Sequence, residues 1–260
     1  MSGFLVCLKI KMLYSDIFIV KALRGDFTFN RDIKIKKGEK LIVLSIKVVM
    51  FFVFVVIWIL AKIPIVSSVV ETIARVYSRN SIGYFLRGAY YKAKLKKMGK
   101  DVIIDQDVSI SFPEVVEIGD NCHLDRNLKI EGGGNGGFVK IGNYVHIGSN
   151  VVIMGRSGVV IGDYSAITSG SLIYSGTALF KIDNSDRLVS LSHMAPFKAY
   201  YIGKKPVKIG KYVFIGPNST ILPEVNIGDN AVIKVGSVVS VDVPKKAIVQ
   251  GVVSKIIKSE

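Results

Sequence analysis

The sequence predicts a mainly β protein: a parallel β-helix of about five coils with a long loop from one corner, preceded by a hydrophobic, basic, partly helical N-terminal region. Three observations predict it. The first is a six-residue period. Ile118-Gly119, Ile141-Gly142, Ile147-Gly148, Ile161-Gly162, Ile209-Gly210, Ile215-Gly216 and Ile227-Gly228 share one frame, and Leu124, Ile130, Ile153, Ile167, Ile173, Ile221, Ile233 and Val239 fill it without the glycine. A fixed short period means one strand and one corner per hexapeptide, each aliphatic residue pointing inward onto its counterpart one coil away. An antiparallel sheet would instead alternate with period two and carry hairpin turns. The second observation is where the period breaks. Three hexapeptides make a triangular coil, so the frame sorts into side A (Ile118, Ile141, Ile161, Ile209, Ile227), side B (Leu124, Ile147, Ile167, Ile215, Ile233) and side C (Ile130, Ile153, Ile173, Ile221, Val239). Extra residues enter only between C and the next A: two before Ile118, five before Ile141, two before Ile161 and thirty before Ile209. Insertions that share one edge usually build a binding face. The third is a change of character near Gly99, where an apolar, lysine-rich stretch gives way to irregular first strands at Ile104 and Ile110.

The chain therefore divides into residues 1–100, a hydrophobic and basic region; residues 101–244, the β-helix; and residues 245–260, a basic tail. Within the N-terminal region, Val48 to Ala61 is fourteen residues without a charge, and extending back to Leu41 adds only Lys47. Twenty-one residues at about 1.5 Å each could just cross a bilayer of roughly 30 Å. Residues 1–40 hold nine Lys and Arg against four acids, so exporting that arm would oppose the positive-inside tendency. The apolar run also starts too late for a cleavable signal peptide. An in-plane or re-entrant segment on the cytoplasmic face of the membrane is expected; a true span and a helix buried in an oligomer are the alternatives. After Pro64, residues 65–98 read as helical with a lysine-rich end (Lys92, Lys94, Lys96, Lys97, Lys100), either a solvated face or a site for anionic headgroups.

In the β-helix, four residues after each frame aliphatic, the side chain is small or β-branched: Cys122, Val145, Val151, Ser157, Ser165, Ser171, Thr177, Val213, Ser219, Val225, Ala231, Ser237 and Val243. Leu128 and Gly134 depart. Gly followed by Asp or Asn (Asp120, Asn143, Asp163, Asp229) suits a corner needing positive φ or close backbone approach.

Composition narrows the chemistry. Cys7 and Cys122 are the two cysteines, too few for a disulfide framework, and this fits a reducing compartment. No Cys/His cluster has structural zinc spacing. A net charge of +15 favours anionic partners, but no nucleic-acid module is recognisable. His123 and His146 end equivalent side-A hexapeptides and should stack one coil apart. A zinc site there would need a third histidine or carboxylate, so a surface histidine pair is expected and no residue is assigned to a metal. The excursion between roughly Ala178 and Lys208 is richer: His193, two acids (Asp183, Asp186), aromatics (Phe197, Tyr200, Tyr201) and a basic exit. Histidine is the one side chain that ordinarily titrates near neutrality, so His193 is the candidate base. A polar surface histidine is the plain alternative.

Three stretches carry a family resemblance. They are His193 followed by Lys205-Pro206-Val207-Lys208-Ile209-Gly210; the run Ile233, Gly236, Ser237, Val238, Val239, Asp242, Val243, Pro244; and the tail Gly251 to Lys258. They lie within the segment from Ile118 to Lys258, which resembles the hexapeptide-repeat acyltransferases, above all the galactoside/maltose O-acetyltransferase and xenobiotic acetyltransferase group. The resemblance implies a left-handed β-helix and a homotrimer with acetyl-CoA in a groove between subunits. It implies no metal. His193 matches the family's catalytic base, which deprotonates the acceptor for direct attack on the thioester. Phe214, Gly216, Asn218, Gly236 and Ser237 fall where the family lines its coenzyme channel, and Lys255 and Lys258 match tail positions facing the coenzyme phosphates. There are departures. Phe214 stands where Trp is frequent, Val241 where Lys is frequent and Val253 where the tail has proline. Pro217 has no N–H at a position that often serves the oxyanion, leaving Gly216 or Asn218 as replacements.

The reading that follows is an acetyl-CoA-dependent O-acetyltransferase acting on a sugar hydroxyl of a bacterial surface polysaccharide or its precursor, held at the inner face of the cell membrane. N-acetylation of an amino-sugar nucleotide is the second reading, although residues 1–100 show no Gly-rich βαβ pattern. A non-catalytic β-helix scaffold is the third.

Overall fold

The computed structural model describes residues 40–133, 136–177, 201–202, 205–252 and 255–258, with backbone alone for 40–44, 46, 47, 177, 201, 202 and 255–258. His193, Asp183 and Asp186 lie outside them. Three helices come first: α1 (Lys40–Leu60), α2 (Pro64–Val76) and α3 (Ser81–Lys94). Pro64 suits the first turn of α2, where its missing N–H is not needed. Asn80 caps α3 by accepting from the Gly83 N–H at 2.9 Å.

The β-helix has three parallel sheets with every frame residue in register. Side A pairs Ile118, Ile141, Ile161, Ile209 and Ile227 in order. Side B pairs Leu124, Ile147, Ile167, Ile215 and Ile233. Side C pairs Ile130, Ile153, Ile173, Ile221 and Val239. The long excursion leaves the register intact, since Ile161 pairs directly with Ile209. At its base Gly176–Thr177 and Tyr201–Ile202 form a two-stranded antiparallel ribbon. There are six coils rather than five. Lys97–Met98 already pairs with side A inside the segment assigned to the N-terminal region. In the tail, Ile248–Gln250 adds a further parallel strand to side B, and Lys255–Lys258 folds back antiparallel on it.

The frame residues are essentially fully buried, each stabilising by about 1.5–3 kcal/mol. Three of the serines four residues on, Ser165, Ser171 and Ser219, are buried too, and their hydroxyls have partners in the neighbouring coil. Ser165 donates to Gly210 O at 2.9 Å, Ser171 to Gly216 O at 3.2 Å and Ser219 to Lys234 O at 3.0 Å. That is why a polar side chain is tolerated inside.

The corners correct one half of the sequence reading. The frame glycines do not supply positive φ; the residue two positions on does, as at Asn121 (54°), Tyr144 (56°), Tyr164 (59°), Tyr212 (57°) and Asn230 (59°). Close approach is the reason for glycine: a Cβ on Gly119 would lie 2.5 Å from Gly142 O, and one on Gly162 2.6 Å from the Gly210 backbone. The Asp or Asn that follows reaches back one coil. Asp120 Oδ1 accepts from Lys100 N (2.8 Å), Asn143 Oδ1 from Asp120 N (2.8 Å), Asp163 Oδ1 from Asn143 N (2.8 Å) and Asp229 Oδ1 from Lys211 N (2.7 Å). On the same corner the rings of Tyr144, Tyr164 and Tyr212 stack at 4.8 and 4.9 Å.

The Asn143 N–H, with Lys211 at 3.0 Å, holds the Asp163 carboxyl below its ordinary value. A carboxyl depressed in the fold stabilises above its unfolded value of 3.8 and loses that contribution as pH falls below it. Asp163→Asn is therefore expected to flatten the acid limb of a Tm-against-pH curve below about pH 4. An acid limb of unchanged steepness would contradict this.

Solenoid ends need a cover, and α3 is the cover here. Phe85, Ala89, Tyr90, Tyr91 and Leu95 are buried, and α3 contacts the first strands of sides A and B. Tyr91 donates its hydroxyl to Val108 O at 2.7 Å. Arg79 forms a two-pronged ion pair with buried Asp105 at 2.9 and 2.6 Å. Two of the expected surface lysines are structural: Lys92 Nζ donates to Met98 O at 2.6 Å, and Lys96 pairs with Glu117 at 2.8 Å. The outer faces of α1 and α2 remain apolar and exposed, with Val49, Phe52, Val56 and Ile59 on one and Ile65, Val69, Ile73 and Val76 on the other. Among the described residues no helix is long and apolar enough to cross a membrane.

Candidate functional site

Phe214, Gly216, Asn218, Gly236 and Ser237 follow one edge of the prism. Phe214 is half exposed on the outside of side B, and the chain then turns the B–C corner through Gly216 and Asn218. Asn218 (φ 55°) takes the positive-φ corner position one coil above Gly170 (φ 74°), and Gly236 (φ 68°) takes it one coil further on. Their backbone donors are committed to the fold. Gly216 N donates to Ile233 O (2.8 Å), Asn218 N to Ser169 O (3.0 Å) and Gly236 N to Pro217 O (2.9 Å). The N–H groups of Gly216 and Asn218, the two expected replacements for Pro217, are thus both engaged within the chain. On this edge Asn218 still carries its side-chain amide. Ser237 is fully buried, with its hydroxyl donating to Lys234 O at 2.7 Å, so it presents no surface to a ligand within this chain.

The excursion leaves and returns at a different edge, between sides C and A. Its return strand, Val207–Ile209, borders an open groove of about 620 Å³ on side A, lined among others by Lys208, Lys211, Asn226, Asp242 and Pro244. Asn226 is fixed there by Asp242, which accepts from its backbone N–H at 2.7 Å. The backbone at Lys255 and Lys258 lies on side B beside Gln250 and Ile248. The base of the excursion and the column from Phe214 to Gly236 thus lie on separate edges of the prism.

A third cluster has its own chemistry. His123 and His146 are paired across neighbouring coils of side B, as the period predicts, with rings 5.2 Å apart and inclined by 23°. Asp125, which the sequence reading did not single out, lies between the two. Its Oδ1 lies 3.2 Å from His123 Nε2 and its Oδ2 3.2 Å from His146 Nε2. Burial pushes the His123 imidazole below its ordinary value, against the pull of Asp125. The sequence did hold a signal: Asp125 replaces the glycine that follows Ile147 and Ile215 at the same place in later coils. Cys122 is no nucleophile, because burial raises its thiol to about 11 and the thiol donates to Gly142 O at 3.0 Å.

Fold and sites together define a hexapeptide-repeat β-helix of the transferase type, and known proteins agree. The bacterial transferase hexapeptide family (six repeats) matches residues 206–240, and the hexapeptide repeat of succinyl-transferase matches residues 138–175. The dTDP-4-amino-4,6-dideoxy-D-glucose acyltransferase of Escherichia coli is 33% identical over 147 residues, which is 56% of this chain and 73% of that protein. The putative acetyltransferase YJL218W of Saccharomyces cerevisiae is 37% identical over 123 residues, 47% of this chain and 57% of that protein. Among solved structures, AntD, an N-acyltransferase from Bacillus cereus in complex with dTDP and coenzyme A, superposes with a TM-score of 0.57 at 26% identity, covering 71% of this chain and 90% of AntD. This chain belongs to the hexapeptide-repeat acyltransferases.

Proposed function

We propose that the protein transfers an acetyl group directly from acetyl-CoA to a sugar hydroxyl of a surface glycan or its precursor, at the inner face of the cell membrane. The observation that carries the membrane and glycan part is the apolar outer face of α1 and α2, built onto the first coil of an acyltransferase. A free small sugar would require no such surface. His193 takes the hydroxyl proton, the alkoxide attacks the thioester carbonyl, and the coenzyme thiolate leaves with a proton, without a covalent enzyme intermediate. An amide N–H holds the developing oxyanion. With Gly216 N and Asn218 N engaged, the side-chain amide of Asn218 is the group assigned to it on this edge. The loop edge and the coenzyme edge differ within one chain, which supports a homotrimer in which each excursion closes on its neighbour's B–C edge.

A second reading, N-acylation of a nucleotide-linked amino sugar, is favoured by the Escherichia coli relative and by AntD. One experiment separates the two. The full chain is incubated with acetyl-CoA and a panel of sugars, dTDP-linked amino sugars and lipid-linked glycans, and products are identified by mass spectrometry. Acetyl esters support the first reading, and products confined to amides support the second.

The membrane part has its own test. The full chain is expected to float with vesicles containing anionic lipid, through apolar insertion aided by lysine charge. Phe52→Asp/Val56→Asp should stay in the dense fraction. Equal flotation of the two proteins would remove α1 as the contact.

A further inference from the structure

We propose that His123, Asp125 and His146 form a binding site for one divalent transition ion of the zinc class, with an open fourth position. This inference is independent of the acyl-transfer reading. The ligand atoms of the three side chains lie within 4.8 Å of one another. Asp125 Oδ1 lies 3.2 Å from His123 Nε2, and Asp125 Oδ2 lies 3.2 Å from His146 Nε2. Ligands about 2.0–2.2 Å from a tetrahedral ion stand roughly 3.3 Å apart, so each imidazole stands about one such edge from its nearer carboxylate oxygen. It is long for the competing arrangement, a carboxylate clasped by an imidazolium, where N–H···O contacts run about 2.7–2.9 Å.

The fold supplies the preorganisation. Parallel pairing fixes His123 opposite His146, and the rings stand nearly parallel at 5.2 Å. Asp125 follows Leu124, whose buried side chain locks that strand from inside. One coil below, Asp105 is neutralised by Arg79, so the network beneath the site is already paired. Two imidazoles and one carboxylate are a borderline donor set that suits Zn²⁺, Co²⁺ or Ni²⁺ and disfavours Mg²⁺ and Ca²⁺, which take oxygen ligands. The His146 side chain is 53% exposed, so the fourth position faces solvent and takes water or an anionic oxygen. The ion ties the second coil to the third on side B, in the column of positions that Phe214 and Gly216 occupy in a later coil.

The test uses the tag-free full chain, stripped with chelator and titrated with Zn²⁺ by calorimetry. The proposal expects one equivalent per chain, a Tm raised by the ion, and a Co²⁺ derivative with the visible absorption of a four- or five-coordinate site. Asp125→Asn keeps the size of the side chain and should weaken Zn²⁺ binding at least tenfold, and His123→Ala/His146→Ala should abolish it. Melting of the metal-free variants shows that each is folded. No binding by the wild type would overturn the proposal, as would undiminished binding in the folded double variant.

Discussion

His193→Ala is expected to lower acetyl transfer by about 10²–10⁴-fold, the usual contribution of a positioned general base. The effect should fall on kcat, with acetyl-CoA affinity and Tm unchanged, because the residue belongs to an excursion joined to a prism whose register does not depend on it. Ile161 pairs with Ile209 across the thirty inserted residues, and the ribbon at Gly176–Thr177 and Tyr201–Ile202 closes the base. The pH profile gives a second readout. A base that must be neutral to accept a proton makes the wild-type rate fall below the imidazole's value, ordinarily near 6.5. The variant should lose that limb. Steady-state kinetics across pH check both, and unchanged turnover would remove His193 from the mechanism.

The second large effect concerns the junction between helices and β-helix. Arg87 is fully buried in α3. Its Nε donates to Ile104 O in the first coil at 2.8 Å, and NH1 donates to Tyr77 O at 2.7 Å and Ala74 O at 3.3 Å at the end of α2. Tyr84 lies alongside, 5.1 Å from the guanidinium. Burial lowers the Arg87 pKa, yet arginine keeps its charge in proteins. Arg87→Met fills comparable space but leaves buried carbonyls without donors, at about 1–3 kcal/mol each. Because the three are coupled, a total of roughly 3–5 kcal/mol is expected. Lysine should rescue only part, since one ammonium cannot reproduce the planar fork. Urea unfolding measures the loss, and hydrogen exchange should show lost protection at Ile103 and Asp105, whose N–H groups donate to the second coil. Wild-type stability in Arg87→Met would contradict this account of the junction.

The sequence revealed what periodicity controls. A buried residue every six positions fixes side, coil and register together, so the pairing of Ile118 with Ile141, or of His123 with His146, is arithmetic. Corner chemistry was half legible: glycine marks the corner, but composition does not say that Asn121 or Tyr144 takes the positive φ while Gly119 only makes room. Asp125 was missed because its partnership combines a step of two along the strand with a step of one coil, a relation no single period displays. Arg87 was invisible for a related reason. It joins α3 to the end of α2 and to the first coil, three places brought together only by tertiary packing. Along the coenzyme edge the frame located Gly216, Asn218 and Gly236, but not the hydrogen bonds that already occupy their N–H groups.

The most direct measurement of the central claim is calorimetric titration of the full chain with acetyl-CoA, followed by coenzyme A alone. The account predicts saturable binding of one molecule per chain for both ligands, with the Phe214→Ala variant weakened. Absence of binding of either ligand to folded protein would contradict it.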